Sequence, residues 1–536
     1  MSNLPDWNNL AEVAIQSALG AIPEVGGLLS GLVGAFWPSE NSGLSSDAIW
    51  NSIKGEVDAA INQAIDQNDY DLIQTKLTGL KANMDRYLSE VKDGVTPSTI
   101  IDYFIAAQTN FDNSAPTFQM PGKELLLSPL FSKMAQMHIA LLRDGVLFGR
   151  RDAQDNVPLG KNNWGMDETT HNNIVLSLTS VINGYVAYST KLYKDSWHSH
   201  DPVSMPQWIK TNNLLVTEVM NYAYYWPYMD VTTYPQPIEN LLAPPYEIFQ
   251  GPIGLSTGAY YQDGFATYDL NSQGMISAVT VWGRQDPSGT KVAGLEVVYG
   301  RTPAPLMGPN IYKNHPELNF SDGRRDSAQS PIGGVFLVDP SNPIVNVFGW
   351  FGDIIDSLGF KLLDGTVKGS YGSGQTGVYS YPEARYVTGE KTMVLSSIIL
   401  NQGINDGFVG NGLGYAASGA IFGFRDLKSY PADQRNYAPQ SSSVQGAYSG
   451  TVTNSDGDQG NCTLVIFVSD DQTLTGIMTI DVLGGAGVLQ GTQQDNKIEF
   501  TTTDINWSGF INGNEISGTY TITGSGGGAW QVTKVS

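Results

Sequence analysis

Leu125–Phe148, reading LLLSPLFSKMAQMHIALLRDGVLF, limits what this chain can fold into more than any other stretch. At helical spacing, Leu126, Leu130, Met134, Met137, Leu141 and Phe148 fall on one face, and Leu127, Phe131, Ala135, His138 and Leu142 on the next. Ser128, Ser132, Gln136 and Arg143 leave only a narrow polar stripe. A helix that is apolar around most of its circumference needs a jacket of other helices or a lipid environment. Its 24 residues would rise about 36 Å, enough to cross a hydrocarbon layer of about 30 Å. The segment therefore suits two surroundings, the centre of a bundle and a bilayer. His138, a lone histidine on an apolar face, reads as a core residue.

The flanking sequence supplies the jacket. Ile73, Leu77, Leu80, Met84, Tyr87 and Val91 advance by fours and threes, and so do Ile174, Leu178, Val181, Tyr185, Tyr188 and Leu192. Leu215, Val219, Tyr222 and Trp226 continue the pattern. Such runs mark amphipathic helices. Pro97-Ser-Thr and the Gly149–Gly165 stretch punctuate them, which predicts six or seven helices in one bundle over residues 1–243.

After a proline-rich joint, Tyr234–Pro237 and Ala243–Pro245, the apolar period drops to two. Ile276–Trp282 and Val292–Tyr299 read as paired strands, and Met393–Leu400 as another, within an all-β domain over residues 244–430. The last piece, residues 440–536, has short strands at Gly446–Gly450, Leu464–Val468, Thr475–Ile480, Lys497–Thr501 and Ile516–Ile522. It reads as a small antiparallel barrel or sandwich, so the fold class is multidomain α+β.

The charge balance, 29 basic against 52 acidic residues for a net −23, disfavours nucleic-acid binding. One cysteine, Cys462, excludes an internal disulfide framework, and five scattered histidines argue against a zinc site. The N-terminus lacks the basic region and apolar core of a secretory signal, and no apolar window of 18 or more residues is uninterrupted, so the protein is expected to be soluble as first folded. Gly254-Leu-Ser-Thr-Gly258 matches a nucleophile-elbow string around Ser256, but the sequence after it does not read as the helix that motif needs. His198, His200 and Asp201 read as a polar turn, and Asp456-Gly-Asp458 lacks the remainder of a calcium loop. Neither enzymatic activity nor a cofactor or metal is expected.

Met134–Gly149 resembles the central-helix block of the three-domain insecticidal delta-endotoxins (Cry-type toxins), with its Leu-Arg-Asp and Phe-Gly elements and a later Trp164-Gly165 pair. Ile22–Leu29 with Phe36-Trp-Pro-Ser-Glu40 resembles the family's first helix, and Leu214–Val219 with Tyr225–Pro235 its last helix and exit. Ile276–Val281, Val292–Tyr299, Tyr386–Gly389 with Met393–Ile399, and Ala420–Arg425 resemble a β-prism, as in jacalin-like lectins. The C-terminal piece is shorter than the family's usual third domain.

The resemblance implies a helical pore-forming domain whose fourth and fifth helices, here roughly Ser98–Ser114 and Leu125–Phe148, enter the target membrane. It places Asp102, Thr109 and Asp112 toward a cation-favouring lumen, opposite Ile101, Phe104, Ile105 and Phe111. It also implies β-domain receptor loops, with Asn310, Ile311 and Tyr312 as candidates, binding to a protein or glycan receptor on gut epithelium, and self-assembly. A toxin of this kind accumulates in the producer cell and acts at the target cell membrane. Arg150, Arg151, Arg324 and Arg325 are candidate protease sites. Three alternatives stay open: a lectin-like adhesin without pore activity, a hydrolase using Ser256, and the pore-forming half of a two-component toxin similar to the B subunit of Photorhabdus insect-related toxins, which needs a partner subunit.

Overall fold

The computed structural model describes residues 7–20, 24–37, 51, 53–55, 57–58, 66–93, 96–150, 162–196, 205–254, 274–286, 289–299, 329–352, 354–373, 377–382, 391–403, 416–435, 444, 446–468, 472–480, 485–502 and 505–535. The chain divides into two compact units. The first holds Met1–His198, Gln207–Tyr246 and Thr388–Glu390; the second holds Ser199–Pro206, Glu247–Val387 and Lys391–Ser536.

The first unit is helical: α1 (Trp7–Gly20), α2 (Gly27–Phe36), α3 (Gln67–Asp93), α4 (Pro97–Phe118), α5 (Glu124–Phe148), α6 (Glu168–Asp195) and α7 (Met205–Leu215). The chain then passes through a π-turn, Val216–Met220, a short helical segment, Asn221–Ala223, and a 3-10 turn, Trp226–Met229. The α3 seam is buried as its spacing requires, from Ile73 through Val91. On α6 the buried line is Ile174, Leu178, Ile182, Tyr185, Ser189 and Leu192, so Ile182 and Ser189 replace the expected Val181 and Tyr188, which are half-buried. An α-helix turns 3.6 residues rather than 3.5, so a seam extrapolated over several turns drifts around the cylinder. Two residue choices fix the α6 start and the turn before it. The Asp167 carboxylate accepts the Thr170 N–H at 3.0 Å as an N-cap. Trp164 is buried against the rings of Tyr87 and Phe104 at 6.0 and 5.4 Å, and Gly165 takes a φ of 71° that suits glycine.

Among the described residues, the second unit contains three open sheets and a closed barrel. Strands β1 (Ile248–Ile253), β10 (Ala416–Asp426) and β9 (Met393–Gly403) form one sheet in that order. Strands β3 (Gly289–Tyr299), β2 (Ile276–Asp286) and β4 (Gln329–Leu337) form the second. The third runs β7 (Val367–Gly372), β6 (Ile355–Leu362), β5 (Ile344–Phe351) and β8 (Gly377–Tyr381). The expected pair is the β2–β3 hairpin, with Val281 opposite Leu295. A buried ion pair joins two sheets: Lys291 of β3 meets Asp356 of β6 at 2.7 Å.

The C-terminal piece is a barrel rather than a sandwich. Strands β11 (Gly446–Asn454), β12 (Gln459–Val468), β13 (Thr473–Ile480), β14 (Gly485–Gln494), β15 (Lys497–Thr502), β16 (Ile505–Asn512), β17 (Glu515–Ile522) and β18 (Ser525–Val535) pair in sequence order, and β18 returns to β11. Tyr448, Leu464, Met478, Phe500, Trp507, Tyr520 and Trp530 are among the side chains buried inside it. Sequence reading missed β14, β16 and β18. The first and last are glycine-rich, and glycine weakens a strand's local signal.

Candidate functional site

The candidate site is α5 with its hairpin partner α4. At about 1.5 Å per residue the 25 residues of α5 extend about 37 Å. It is long and apolar enough to cross a membrane, and 94% of its most apolar window is buried in the bundle. Leu126, Leu130, Met134, Met137, His138 and Leu141 are buried, and Phe148 at the C-terminal end is half-buried. The polar stripe of Ser128, Ser132, Gln136 and Arg143 is buried too. Pro129 removes the N–H that would satisfy the Leu125 carbonyl one turn earlier, and Ser128 Oγ donates to that oxygen instead at 2.8 Å.

Two charged residues that the sequence reading passed over, Lys133 and Asp144, are also buried on α5. Their signal was available, because a charge inside an apolar segment requires a partner. Lys133 Nζ lies 2.7 Å from Glu218 Oε2, in the π-turn, and 4.8 Å from the centre of the Tyr222 ring. The Asp144 carboxylate accepts the Gly26 N–H at 2.9 Å and the Tyr87 hydroxyl at 3.0 Å. Burial raises that carboxyl to about 7, against the pull of the two hydrogen bonds and the Arg143 charge. Arg143 Nη2 donates to the Ala18 carbonyl at 3.2 Å. The Leu-Arg-Asp element thus ties α5 to α1, α2 and α3.

His138 sits between α4 and α6. Its ring stacks on Phe111 with centroids 5.0 Å apart, and Nδ1 is 2.9 Å from the Tyr185 hydroxyl. Burial lowers it to about 3, so the imidazole is neutral near pH 7. Nε2 lies 3.6 Å from Asp112 Oδ1 of α4. That oxygen is beyond hydrogen-bond reach. Gln136 Oε1, His138 Nε2 and Arg143 Nε lack hydrogen-bond partners among the described residues. A buried polar group left in that state costs about 1–3 kcal/mol. α5 is therefore well packed, yet incompletely satisfied by its polar surroundings.

α4 presents Phe104, Ala107 and Phe111 to the core and leaves Asp102, Thr109 and Asp112 exposed. Ile105, expected opposite those polar residues, is instead 42% exposed beside them. It stands four residues before Thr109, on the same side of the helix. Partial burial raises the Asp112 carboxyl above its ordinary value. Arg150 is exposed just beyond α5, while Arg151, Arg324, Arg325, Asn310, Ile311 and Tyr312 lie outside the described residues. So do Ser256, His198, His200 and Asp201. Asp456 and Asp458 belong to the β11–β12 turn, where Asn454 Oδ1 accepts both of their backbone N–H groups. Among the described residues, no group of three or more His, Cys, Asp or Glu could hold a metal ion.

Residues 14–229, which span most of this helical unit, match the family model for the delta endotoxin N-terminal domain. The pesticidal crystal protein Cry1Gb of Bacillus thuringiensis subsp. wuhanensis is 26% identical over 252 residues, covering 46% of this chain and 20% of that protein. The helical unit carries a delta endotoxin N-terminal domain. Cry7Ab of Bacillus thuringiensis subsp. dakota, also 26% identical, is matched over 42% of this chain and 19% of its own length. The chain thus spans about a fifth of the curated relatives it matches. Its fold is that of the three-domain toxins over nearly the whole chain. The insecticidal crystal protein Cry7Ca1 of Bacillus thuringiensis superimposes with a TM-score of 0.55 at 14% identity, covering 99% of this chain and 97% of that one. The mosquito-larvicidal Cry4Aa toxin of Bacillus thuringiensis gives 0.52 at 12% identity, covering 100% of both chains.

Proposed function

We propose that this chain is a pore-forming insecticidal protein of the delta-endotoxin kind that acts without an enzymatic step. It docks on a protein or glycan receptor of gut epithelium, self-associates, and inserts the α4–α5 hairpin into the target membrane. The observation that carries the reading is α5 itself, a helix of membrane-spanning length and hydropathy held inside a jacket of amphipathic helices. Leaving the bundle exchanges one apolar environment for another, so the free energy that opposes insertion lies mainly in the jacket and the polar contacts. Asp102, Thr109 and Asp112 on the outer side of α4 supply a polar surface that hydrocarbon would reject and a water-filled lumen would accept.

Dye release from liposomes and gut-membrane vesicles tests permeabilisation, and planar bilayers test the lumen. Asp102→Asn combined with Asp112→Asn is expected to lower cation selectivity; unchanged selectivity rejects the lumen assignment. Glycan binding or agglutination without leakage would replace the pore reading with an adhesin. Feeding the purified single chain to larvae decides whether it acts without a partner subunit.

A further inference from the structure

We infer that the buried Lys133–Glu218 pair is a lock on the insertion helix, holding α5 in the bundle until the helix carrying Glu218 moves away. The inference rests on the insertion reading above. Both side chains are sealed from solvent, with Lys133 0% and Glu218 2% exposed. Lys133 is near the middle of α5, in the part that would lie deepest in a membrane. Its ammonium is enclosed by the Glu218 carboxylate at 2.7 Å, the Glu218 carbonyl oxygen at 3.4 Å, the Tyr222 ring at 4.8 Å and the Phe36 ring at 5.9 Å. Glu218 occupies the π-turn, where the helix following α7 widens. A π-turn is a local departure from α geometry that recurs at functional positions.

The physical argument concerns two end states. In the bundle the two opposite charges face each other at 2.7 Å away from solvent, so removing one partner leaves the other a buried ion without its counter-charge. In hydrocarbon, an unpaired Lys133 would be opposed strongly. α5 can therefore enter lipid only after Lys133 gives up Glu218 and either reaches water or loses its proton. His138 and Asp144 do not impose this requirement, because neutral forms of both side chains are within reach. Nor does Arg143, the other buried cation of α5, which stands only five residues from the helix end at Phe148, where a long side chain can reach the membrane surface. The charge pair thus raises the barrier for departure and for arrival together, which a merely cohesive core contact would not do.

The test uses the full chain in two assays: hydrogen exchange of the α5 amides, and dye release from anionic phosphatidylcholine–phosphatidylglycerol vesicles. Lys133→Met and Glu218→Gln, each alone, are expected to speed α5 exchange roughly tenfold or more. The charge swap, Lys133→Glu with Glu218→Lys, is expected to return exchange and leakage to within about threefold of the native protein. The paired neutral variant, Lys133→Met with Glu218→Leu, is the sharpest case. Its exchange is expected to stay near native while its leakage rises roughly tenfold, because α5 no longer carries a cation in its central part into lipid. Native leakage from that folded paired variant would overturn the lock. If the native chain releases no dye from any vesicle, the insertion reading fails. Exchange then decides the lock by itself, and unchanged α5 exchange in both single variants overturns it.

Discussion

Asp144→Asn should remove one loss of helical-unit stability with rising pH, the one due to the Asp144 carboxyl. The carboxyl stands at about 7 in the bundle, against an ordinary value of 3.8, with burial as the main cause. A carboxyl raised in the folded state contributes stability that is complete below pH 4 and is lost as pH rises through 7, since the fold must then hold a buried anion. At about 1.36 kcal/mol per pH unit, the interval corresponds to about 4 kcal/mol, of which about 3 falls between pH 4.5 and pH 8. Asparagine keeps the shape and an oxygen for the Gly26 N–H and the Tyr87 hydroxyl, but never ionises. His138 acts in the opposite sense: its neutral burial contributes stability above pH 6.5 that is lost as pH falls toward 3. That term is common to both proteins and cancels in their difference. Urea titrations of the full chain, followed at 222 nm where the helical unit dominates, should show Asp144→Asn gaining on the native protein by about 3 kcal/mol between pH 4.5 and 8. Parallel pH profiles would refute the claim that Asp144 is a buried, proton-holding anchor.

Two further predictions concern close approaches. A Cβ at Gly145 would lie 2.3 Å from Phe104 Cζ and 3.1 Å from Ile174 Cγ2. Gly145→Val should therefore push α4 and α6 off α5 and lower the helical unit's stability by about 1–3 kcal/mol, read as an earlier melt at 222 nm; an unshifted melt would mean that α4 yields without cost. At Gly518 a Cβ would fall 1.9 Å from the Ser508 carbonyl oxygen of the neighbouring strand. Gly518→Ala should break the β16–β17 ladder, raise exchange of the barrel amides and leave the helical signal in place, which amide exchange followed by mass spectrometry would show.

Sequence alone determined the features that depend on local periodicity. The α3 seam, the apolar circumference of α5, the β2–β3 pair and the antiparallel β character of the C-terminal piece all follow from side chains a few residues apart, because helix and strand geometry repeats at fixed spacing. The tertiary structure decided what those surfaces meet. Lys133 finds Glu218 85 residues later, and His138 finds Tyr185 47 residues later; no local pattern encodes distances of that kind. Ile105 lies outside because the neighbours of α4 determine which side is covered. The glycine-rich strands β14 and β18 are strands because barrel closure gives their backbones two partners each. A buried charge or a weak strand is stable only through groups that folding brings to it, and those contacts exist only once the whole unit has formed.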